Sequence, residues 1–160
     1  MRRWAALLAA PLAIGLASCG VTEAEASAPA YSVEVDYMLQ CQGCHLPDGE
    51  GFPANDVPRL AGEMGKFLNV EGGRAYLVQV PGAASSDLSN ERLAGVLNWM
   101  VMRFSPGQVP TDFKPYTAAE IAHFRAQPLV ETRAARAALI AKLDAWEADE
   151  TRSEAHRDPD

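Results

Sequence analysis

Two cysteines and a histidine stand together in Cys41-Gln42-Gly43-Cys44-His45, and all three side chains can bind metals or form covalent bonds. Cysteines two residues apart occur in redox-active dithiols, in halves of zinc sites and in the attachment motif of c-type haem. In haem attachment the two thiols bond to the porphyrin vinyl groups, and the adjacent imidazole becomes an iron ligand. The pentapeptide alone does not choose among these three chemistries.

The rest of the chain favours haem over the other two. A structural zinc site needs four nitrogen or sulfur ligands at suitable spacing. The other histidines are His123 and His156, and no second cysteine pair exists. A thioredoxin-like pair is expected within a βαβ pattern, which the sequence lacks. We therefore predict one covalently bound haem c, held by the motif at residues 41–45.

The N-terminus has the features of an export signal. Two arginines precede an apolar run from Trp4 to Ala17, which is shorter than the roughly 20 residues of a membrane-spanning helix. The run ends in Leu16-Ala17-Ser18-Cys19, which resembles a lipoprotein cleavage site, and a competing cut lies after Ala26. We predict a signal peptide at 1–18, a flexible tether at 19–32, and a periplasmic protein anchored to the membrane surface by a lipid on Cys19.

The chain is acidic. Its 160 residues carry 14 basic and 21 acidic side chains, for a formal charge of −7, and removal of residues 1–18 leaves 12 basic against 21 acidic, or −9. Such a domain repels nucleic acid and is steered towards basic protein surfaces. We therefore expect redox partner proteins, either a dehydrogenase or an oxidase, and no nucleic-acid partner.

Apolar residues recur at helical spacing, and no segment alternates as a strand does, so we predict an all-α fold with long loops. The clearest helix begins at Ser89, which can cap it, and ends before Pro106. A second begins at Thr117, and a third follows Pro128. Shorter helices are predicted at 34–40 and 74–80, with loops at 46–69 and 108–115. The charged tail at 149–160 is predicted to be disordered.

Residues 41–62 resemble the class I c-type cytochromes. Cys41 to Gly51 matches their haem motif and glycine-rich loop, and Val57-Pro58-Arg59-Leu60-Ala61-Gly62 matches their P-x-L-x-G segment in order and spacing. The resemblance covers about residues 33–128 and implies a cytochrome c-like helical domain, to which 129–148 adds an extra helix. It also implies that the Pro58 carbonyl accepts a hydrogen bond from the His45 imidazole and that Leu60 packs on the haem.

The chain departs from this family at the second iron ligand. Class I members usually carry a methionine in a loop before the last haem-packing helix, and the loops at 81–88 and 105–116 contain none. The methionines late in the Ser89 helix are the alternatives, with Met100 preferred because it shares the apolar face, and Met102 next. Met64, His123 or no ligand are the other possibilities. Donors to the haem propionates are sought among four residues: Tyr76, Trp99, Arg74 and Arg103.

Electron transfer is the function that the resemblance implies. An iron with two protein ligands cannot bind a substrate without losing one, so we expect an electron carrier rather than an enzyme. The alternative is a five-coordinate haem that binds a small ligand or performs peroxidase-type chemistry. A catalytic pocket would need a positioned acid or base, and the sequence nominates none.

Overall fold

The computed structural model describes residues 32–157, which are helical and contain no β-strand. The predicted all-α fold class is therefore confirmed. The helices are α1 (Val33–Gln40), α2 (Gln42–His45), α3 (Gly73–Gln79), α4 (Pro81–Ala84), α5 (Asn90–Phe104), α6 (Ala118–Arg125) and α7 (Thr132–Arg157). Short 3₁₀ helices lie at Pro53–Asn55, Met64–Asn69 and Pro106–Gln108.

Hydroxyl side chains cap three of these helices. Ser32, Ser89 and Thr117 each accept a hydrogen bond from the backbone N–H three residues ahead, at 3.2–3.4 Å. Each bond satisfies a donor that the first helical turn leaves free. The predicted starts of α5 and α6 are confirmed, and α5 ends before Pro106, as predicted.

The apolar face of α5 forms the centre of the core. Leu93, Val96, Leu97, Met100 and Phe104 are all buried, as their spacing of three and four residues predicts. Helix α1 packs against this helix through an aromatic cluster in which Tyr37, Trp99 and Phe104 have ring centroids 5.2–5.6 Å apart. The cluster fixes the end of α1, which is where the Cys41–His45 motif begins.

A buried ion pair also joins α1 to α5. Asp36 is only 2% exposed, and its carboxylate accepts hydrogen bonds from two nitrogens of the Arg92 guanidinium, one of them at 3.0 Å. A paired guanidinium is what makes burial of this carboxylate tolerable.

The loop predicted at 46–69 is more ordered than expected. Its second half forms the 3₁₀ helix Met64–Asn69, in which Met64 and Phe67 are buried. Tertiary packing of these apolar side chains outweighs the local glycine and proline content that predicted a loop. After α3, Pro81 begins the short helix α4, because proline is well suited to a first helical position.

Helix α6 holds the α4–α5 connection in place. The Arg125 guanidinium donates hydrogen bonds to the backbone carbonyls of Ala84, Ser86 and Leu88 at 2.6–3.1 Å. These bonds satisfy carbonyls that no helix pairs, so the segment after α4 has a defined position.

Helix α7 is longer than predicted. We expected a helix at 129–148 and a disordered tail from 149, but the structure continues the helix to Arg157, and residues 158–160 lie outside the described range. Local bonds support the extra turns, including a 3.0 Å ion pair between Arg152 and Asp149. Leu139 and Leu143 are buried where α7 packs on α3 and on the 3₁₀ helix at 64–69, whereas Trp146 is 37% exposed.

The predicted signal peptide, Cys19 and most of the tether fall in residues 1–31, outside the described residues. Within residues 32–157, no helix combines the length and the apolar character needed to cross a bilayer.

We predict that Asp36→Ala lowers the free energy of unfolding by about 1–3 kcal/mol, because it removes the partner of Arg92 and leaves a small cavity. The cost stays in this range since the Arg92 side chain is 43% exposed and can turn to water. Urea unfolding measures it. Asp149→Ala is the control, because its pair with Arg152 is exposed and should change stability by less than about 0.5 kcal/mol. Equal losses in the two variants would contradict this account.

Candidate functional site

The motif residues lie where α1 turns into α2. Cys41 ends α1, and the single turn Gln42–His45 follows it, so the side chains of Cys41, Cys44 and His45 meet at one wall of a cavity. Both cysteines are free thiols in the structure, Cys44 exposed and Cys41 half-buried. The thiols are therefore available for bonds to a group in that cavity.

The cavity has a volume of about 820 Å³, near the upper end of the usual range for ligand pockets. Most of its lining is apolar. Besides the motif, its walls come from the 53–67 loop, from α3 and α4, from the inward face of α5 and from one face of α7. Such a space suits a large, flat, largely apolar group.

His45 has a buried nitrogen without a partner. Its Nδ1 atom makes no hydrogen bond of normal geometry to any residue of the described part. Burial lowers the pKa of His45, and the nearby Pro58 carbonyl partly opposes this by raising it. The imidazole is thus held in its neutral form, the form that binds metal ions. A buried ring nitrogen of this kind needs a partner, either a metal ion or an acceptor such as the nearby Pro58 carbonyl.

Two glycines allow the loop after His45 to fold back on the motif. Gly51 has φ +66°, and a Cβ there would lie 2.4 Å from the Pro58 carbonyl oxygen. Gly49 has φ +70°, and a Cβ there would lie 2.8 Å from the Phe104 ring. Only glycine fits such positions without strain. The backbone N–H of Gly51 also donates to the His45 carbonyl at 3.1 Å, which ties the loop to the motif.

The end of α5 fixes the far side of the same loop. The Ser105 hydroxyl donates a 3.0 Å hydrogen bond to the Leu60 carbonyl, and the Gly62 N–H donates to the Phe104 carbonyl at 2.8 Å. Leu60 is buried, and both Pro58 and Leu60 line the cavity. The P-x-L-x-G segment therefore forms a wall beside His45.

No known protein-family profile matches the sequence. Two curated relatives do, both named cytochrome c-552 and both from Thermus thermophilus. Each is 35% identical to this chain over 108 residues, which cover 56% of the chain and 82% or 72% of the relative. The chain belongs to the c-type cytochromes. Its all-helical fold agrees with that membership.

The structure separates the methionines proposed as second iron ligands in this cytochrome. Met100 is 5% exposed and lines the cavity, whereas Met102 is 54% exposed and does not. Two residues are about 200° of helical turn, so the two side chains point in different directions. Met102 therefore lies away from the cavity, and the structure favours Met100 over Met102 as the candidate ligand. Met64 is buried and also lines the cavity, whereas His123 is exposed and lies outside it.

Of the four residues considered as propionate donors, only Tyr76 lines the cavity. Arg74 is engaged elsewhere, since it pairs with Glu120 and lies 4.0 Å over the Tyr116 ring. Arg103 pairs with an exposed aspartate, and Trp99 belongs to the aromatic cluster between α1 and α5. The sequence showed that these side chains could donate, but long-range packing assigned three of them to other partners.

The sequence reasoning missed the contribution of α7. Arg133, Arg136 and Ile140 all line the cavity. They stand at positions i, i+3 and i+7, which share one helical face. That spacing was visible in the sequence, but the neighbouring leucine stripe was the stronger pattern.

The two alternative uses of the cysteines find no support in this cytochrome. Within residues 32–157, no group of three or more His, Cys, Asp or Glu side chains is placed to hold a metal ion. Burial, with the Asp36 charge adding to it, raises the pKa of Cys41 to about 11. Reactive dithiols depend on a lowered thiol pKa, so a redox-active pair is disfavoured.

We predict that Gly51→Ala destabilises the fold by more than about 1 kcal/mol, because the new Cβ meets the Pro58 carbonyl and the positive φ is strained. Thermal or urea unfolding of the full chain measures the change. Gly107→Ala is the matched control, since a Cβ at Gly107 meets nothing within 4 Å and the residue does not have a positive φ. Similar losses of stability in both variants would show that the loop at Gly51 rearranges to accommodate a Cβ without strain.

Proposed function

We propose that the protein is an electron carrier that holds one haem c through thioether bonds from Cys41 and Cys44. The observation that carries this proposal is the placement of the Cys41 and Cys44 thiols and the His45 imidazole at the wall of one large, mostly apolar cavity. Membership of the c-type cytochromes supports the same reading. Haem iron, when bound, supplies one-electron chemistry by alternating between its ferric and ferrous states.

The residues around the motif would orient the iron ligand. His45 would be an iron ligand, and the Pro58 carbonyl would accept a hydrogen bond from the other N–H of its ring. Such a bond would fix the tautomer and the ring plane and would make the imidazole a better donor to iron. Leu60 supplies an apolar surface at the same wall. Together these residues would keep water from the iron and hold its ligand geometry during electron transfer.

Met100 is the proposed second iron ligand. Its thioether is buried at the cavity wall, on the helix whose end fixes the loop beside His45. A thioether ligand in an apolar site favours the ferrous state and so raises the reduction potential. Met64 shares the burial and is the competing candidate. A site in which neither binds would be five-coordinate and open to small ligands.

The side chains that line the cavity support a carrier more than an enzyme. Asp56 is paired with Arg133, and Glu63 is paired with Lys66 at 3.2 Å. Burial raises the pKa of Tyr76, so this phenol stays protonated at neutral pH. A catalytic pocket would instead need an acid or base free to exchange a proton with substrate.

The partners that we propose are redox proteins with basic docking surfaces, such as a dehydrogenase or an oxidase. The supporting observation is the formal charge of −7 for the whole chain. Opposite charge speeds the encounter of such partners, and salt screens it. A rate of reduction that does not change between low and high salt would count against this proposal.

A periplasmic location, with a lipid on Cys19 anchoring the domain to the membrane, is also proposed. The basic start, the short apolar run and the Leu16-Ala17-Ser18-Cys19 sequence support it. A single acyl chain binds membranes only marginally, so several would be needed for stable anchoring. Membrane fractionation of wild type and Cys19→Ser distinguishes the possibilities, because an equally soluble wild type would exclude the anchor.

We predict that the wild-type chain, expressed with haem-attachment machinery, keeps its haem through acid–acetone extraction, whereas the Cys41→Ser/Cys44→Ser double variant loses all of it. Thioether bonds survive denaturation and non-covalent binding does not. Absorption of the extracted protein in alkaline pyridine measures bound haem. Cys19→Ser should retain haem, because Cys19 lies outside the motif. Haem retention by the double variant would contradict covalent attachment.

We predict that Met100→Ala removes the weak far-red absorption band of the oxidised protein and lets carbon monoxide bind the reduced protein. Both changes follow from loss of a sulfur ligand to iron. Met102→Ala is the control on the same helix and should change neither property, because its side chain is exposed. The same losses in Met64→Ala, with Met100→Ala unchanged, would assign the ligand to Met64. A wild type that already lacks the band and binds carbon monoxide would favour the five-coordinate alternative.

A further inference from the structure

Arg136 brings a positive charge to the cavity and has no counter-ion among residues 32–157. Helix α7 places this residue among those that line the cavity, where its guanidinium carbon lies 6.0 Å from the centroid of the Phe67 ring. Among residues 32–157 it forms no ion pair and donates no hydrogen bond, and its guanidinium lies beside the Phe67 ring. A half-buried guanidinium of this kind is expected to meet an anion.

The carboxylates of the chain that line the same cavity are already engaged. Asp56 pairs with Arg133, one helical turn before Arg136, and Glu63 pairs with Lys66 at 3.2 Å. Neither is left to neutralise Arg136. Among residues 32–157 no carboxylate at the cavity is left for Arg136, so an anion that meets it there would come from the group that fills the cavity.

Tyr76 supplies a second donor beside Arg136. Its ring stacks on that of Phe67 with centroids 5.3 Å apart, and it is 7% exposed. Tyr76 and Arg136 both lie beside the Phe67 ring, which places them in the same region of the cavity wall, and the charge of Arg136 lowers the pKa of Tyr76 against the rise caused by burial. The Tyr76 hydroxyl makes no hydrogen bond to another residue of the described range. A guanidinium and a hydroxyl, neither with a hydrogen-bond partner among the described residues, thus lie in one region of a largely apolar wall.

We propose that Arg136 and the Tyr76 hydroxyl together bind a carboxylate of the cavity's occupant, namely one propionate of the haem. This inference rests on the proposed function, because it takes haem as that occupant. Charge-assisted hydrogen bonds from a guanidinium are stronger than neutral ones, and its fork of N–H groups matches the planar geometry of a carboxylate. Helix α7 then has a role beyond packing, since it carries the charge that neutralises the propionate.

The electrostatic consequence is a change in reduction potential. A ferric haem carries one more positive charge than a ferrous haem, so a nearby guanidinium disfavours the ferric state. Removing Arg136 would also expose the negative charge of the propionate, which favours the ferric state. Both effects act in one direction, and loss of Arg136 lowers the potential.

Redox titration of the full-length holoprotein tests this inference. Arg136→Gln should lower the midpoint potential, and Arg136→Lys, which keeps the charge, should restore most of the shift. Arg152→Gln removes the same charge from an exposed position on α7 and should leave the potential at the wild-type value. A potential that is unchanged in a folded Arg136→Gln protein would overturn the inference. If that variant does not fold, the Tyr76→Phe variant provides the test, and its midpoint potential should be lower than that of wild type. An unchanged midpoint potential in Tyr76→Phe would then overturn the inference.

Two further outcomes distinguish propionate binding from a free-anion site and from failure of the proposed function. Titrations in the presence and absence of phosphate ask whether Arg136 holds a free anion. A phosphate-dependent potential in wild type that disappears in Arg136→Gln would assign the site to a free anion and contradict propionate binding. A wild-type chain without covalent haem would contradict the proposed function and, with it, this inference. Covalent haem together with an insensitive Arg136→Gln variant contradicts this inference alone.

Discussion

The contact between the end of α5 and the loop after His45 is the constraint on which the site depends. The Phe104 ring occupies the space that a side chain at Gly49 would need, and the Ser105 hydroxyl satisfies the buried carbonyl of Leu60. Helix α1, which carries the cysteine motif at its end, packs on the same helix through the aromatic cluster and the Asp36–Arg92 pair. Both halves of the site are therefore positioned by α5, and a rigid element serves as their common reference.

The character of the cavity follows from how its polar groups are partnered. The carboxylates of Asp56 and Glu63 are paired, and the phenol of Tyr76 is kept neutral by burial. Most of the wall that remains is apolar, and among the described residues Arg59 and Arg136 line it without an ion pair. An apolar wall limits the access of water and lowers the local dielectric, and both set the potential of a redox centre. The few unpartnered groups are consequently the ones that a bound group can use.

Helix α7 shows how a segment outside the family resemblance can become part of the site. Leu139 and Leu143 bury one stripe against α3 and the 3₁₀ helix at 64–69, and this packing turns the neighbouring face, with Arg133 and Arg136, towards the cavity. The last turns project into solvent, where pairs such as Arg152 with Asp149 sustain the helix. The same helix thus closes the core at one end and reaches solvent at the other.

Much of this protein could be predicted from short-range patterns in its sequence. The all-α class, the caps at Ser89 and Thr117 and the apolar face of α5 follow from hydrogen bonding and helical period over a few residues. The haem attachment predicted at the Cys41–His45 motif came from residue type and spacing, together with the further zinc ligands and the βαβ pattern that the sequence lacks. The choice of Met100 over Met102 also came from the helical period, because residues two apart face different directions.

Only the tertiary structure decided which side chains meet across long stretches of chain. Arg74 pairs with Glu120, 46 residues away, and this pair makes Arg74 unavailable as a hydrogen-bond donor to a haem propionate. Local sequence could not have excluded Arg74 from that role. The arrival of Arg136 at the cavity depends on how α7 packs on α3, and the order of residues 64–69 depends on burial of Met64 and Phe67. Local patterns determine which chemistry a side chain can perform. The partners that it meets are set by contacts between elements distant in sequence, and a short window of residues does not contain those contacts.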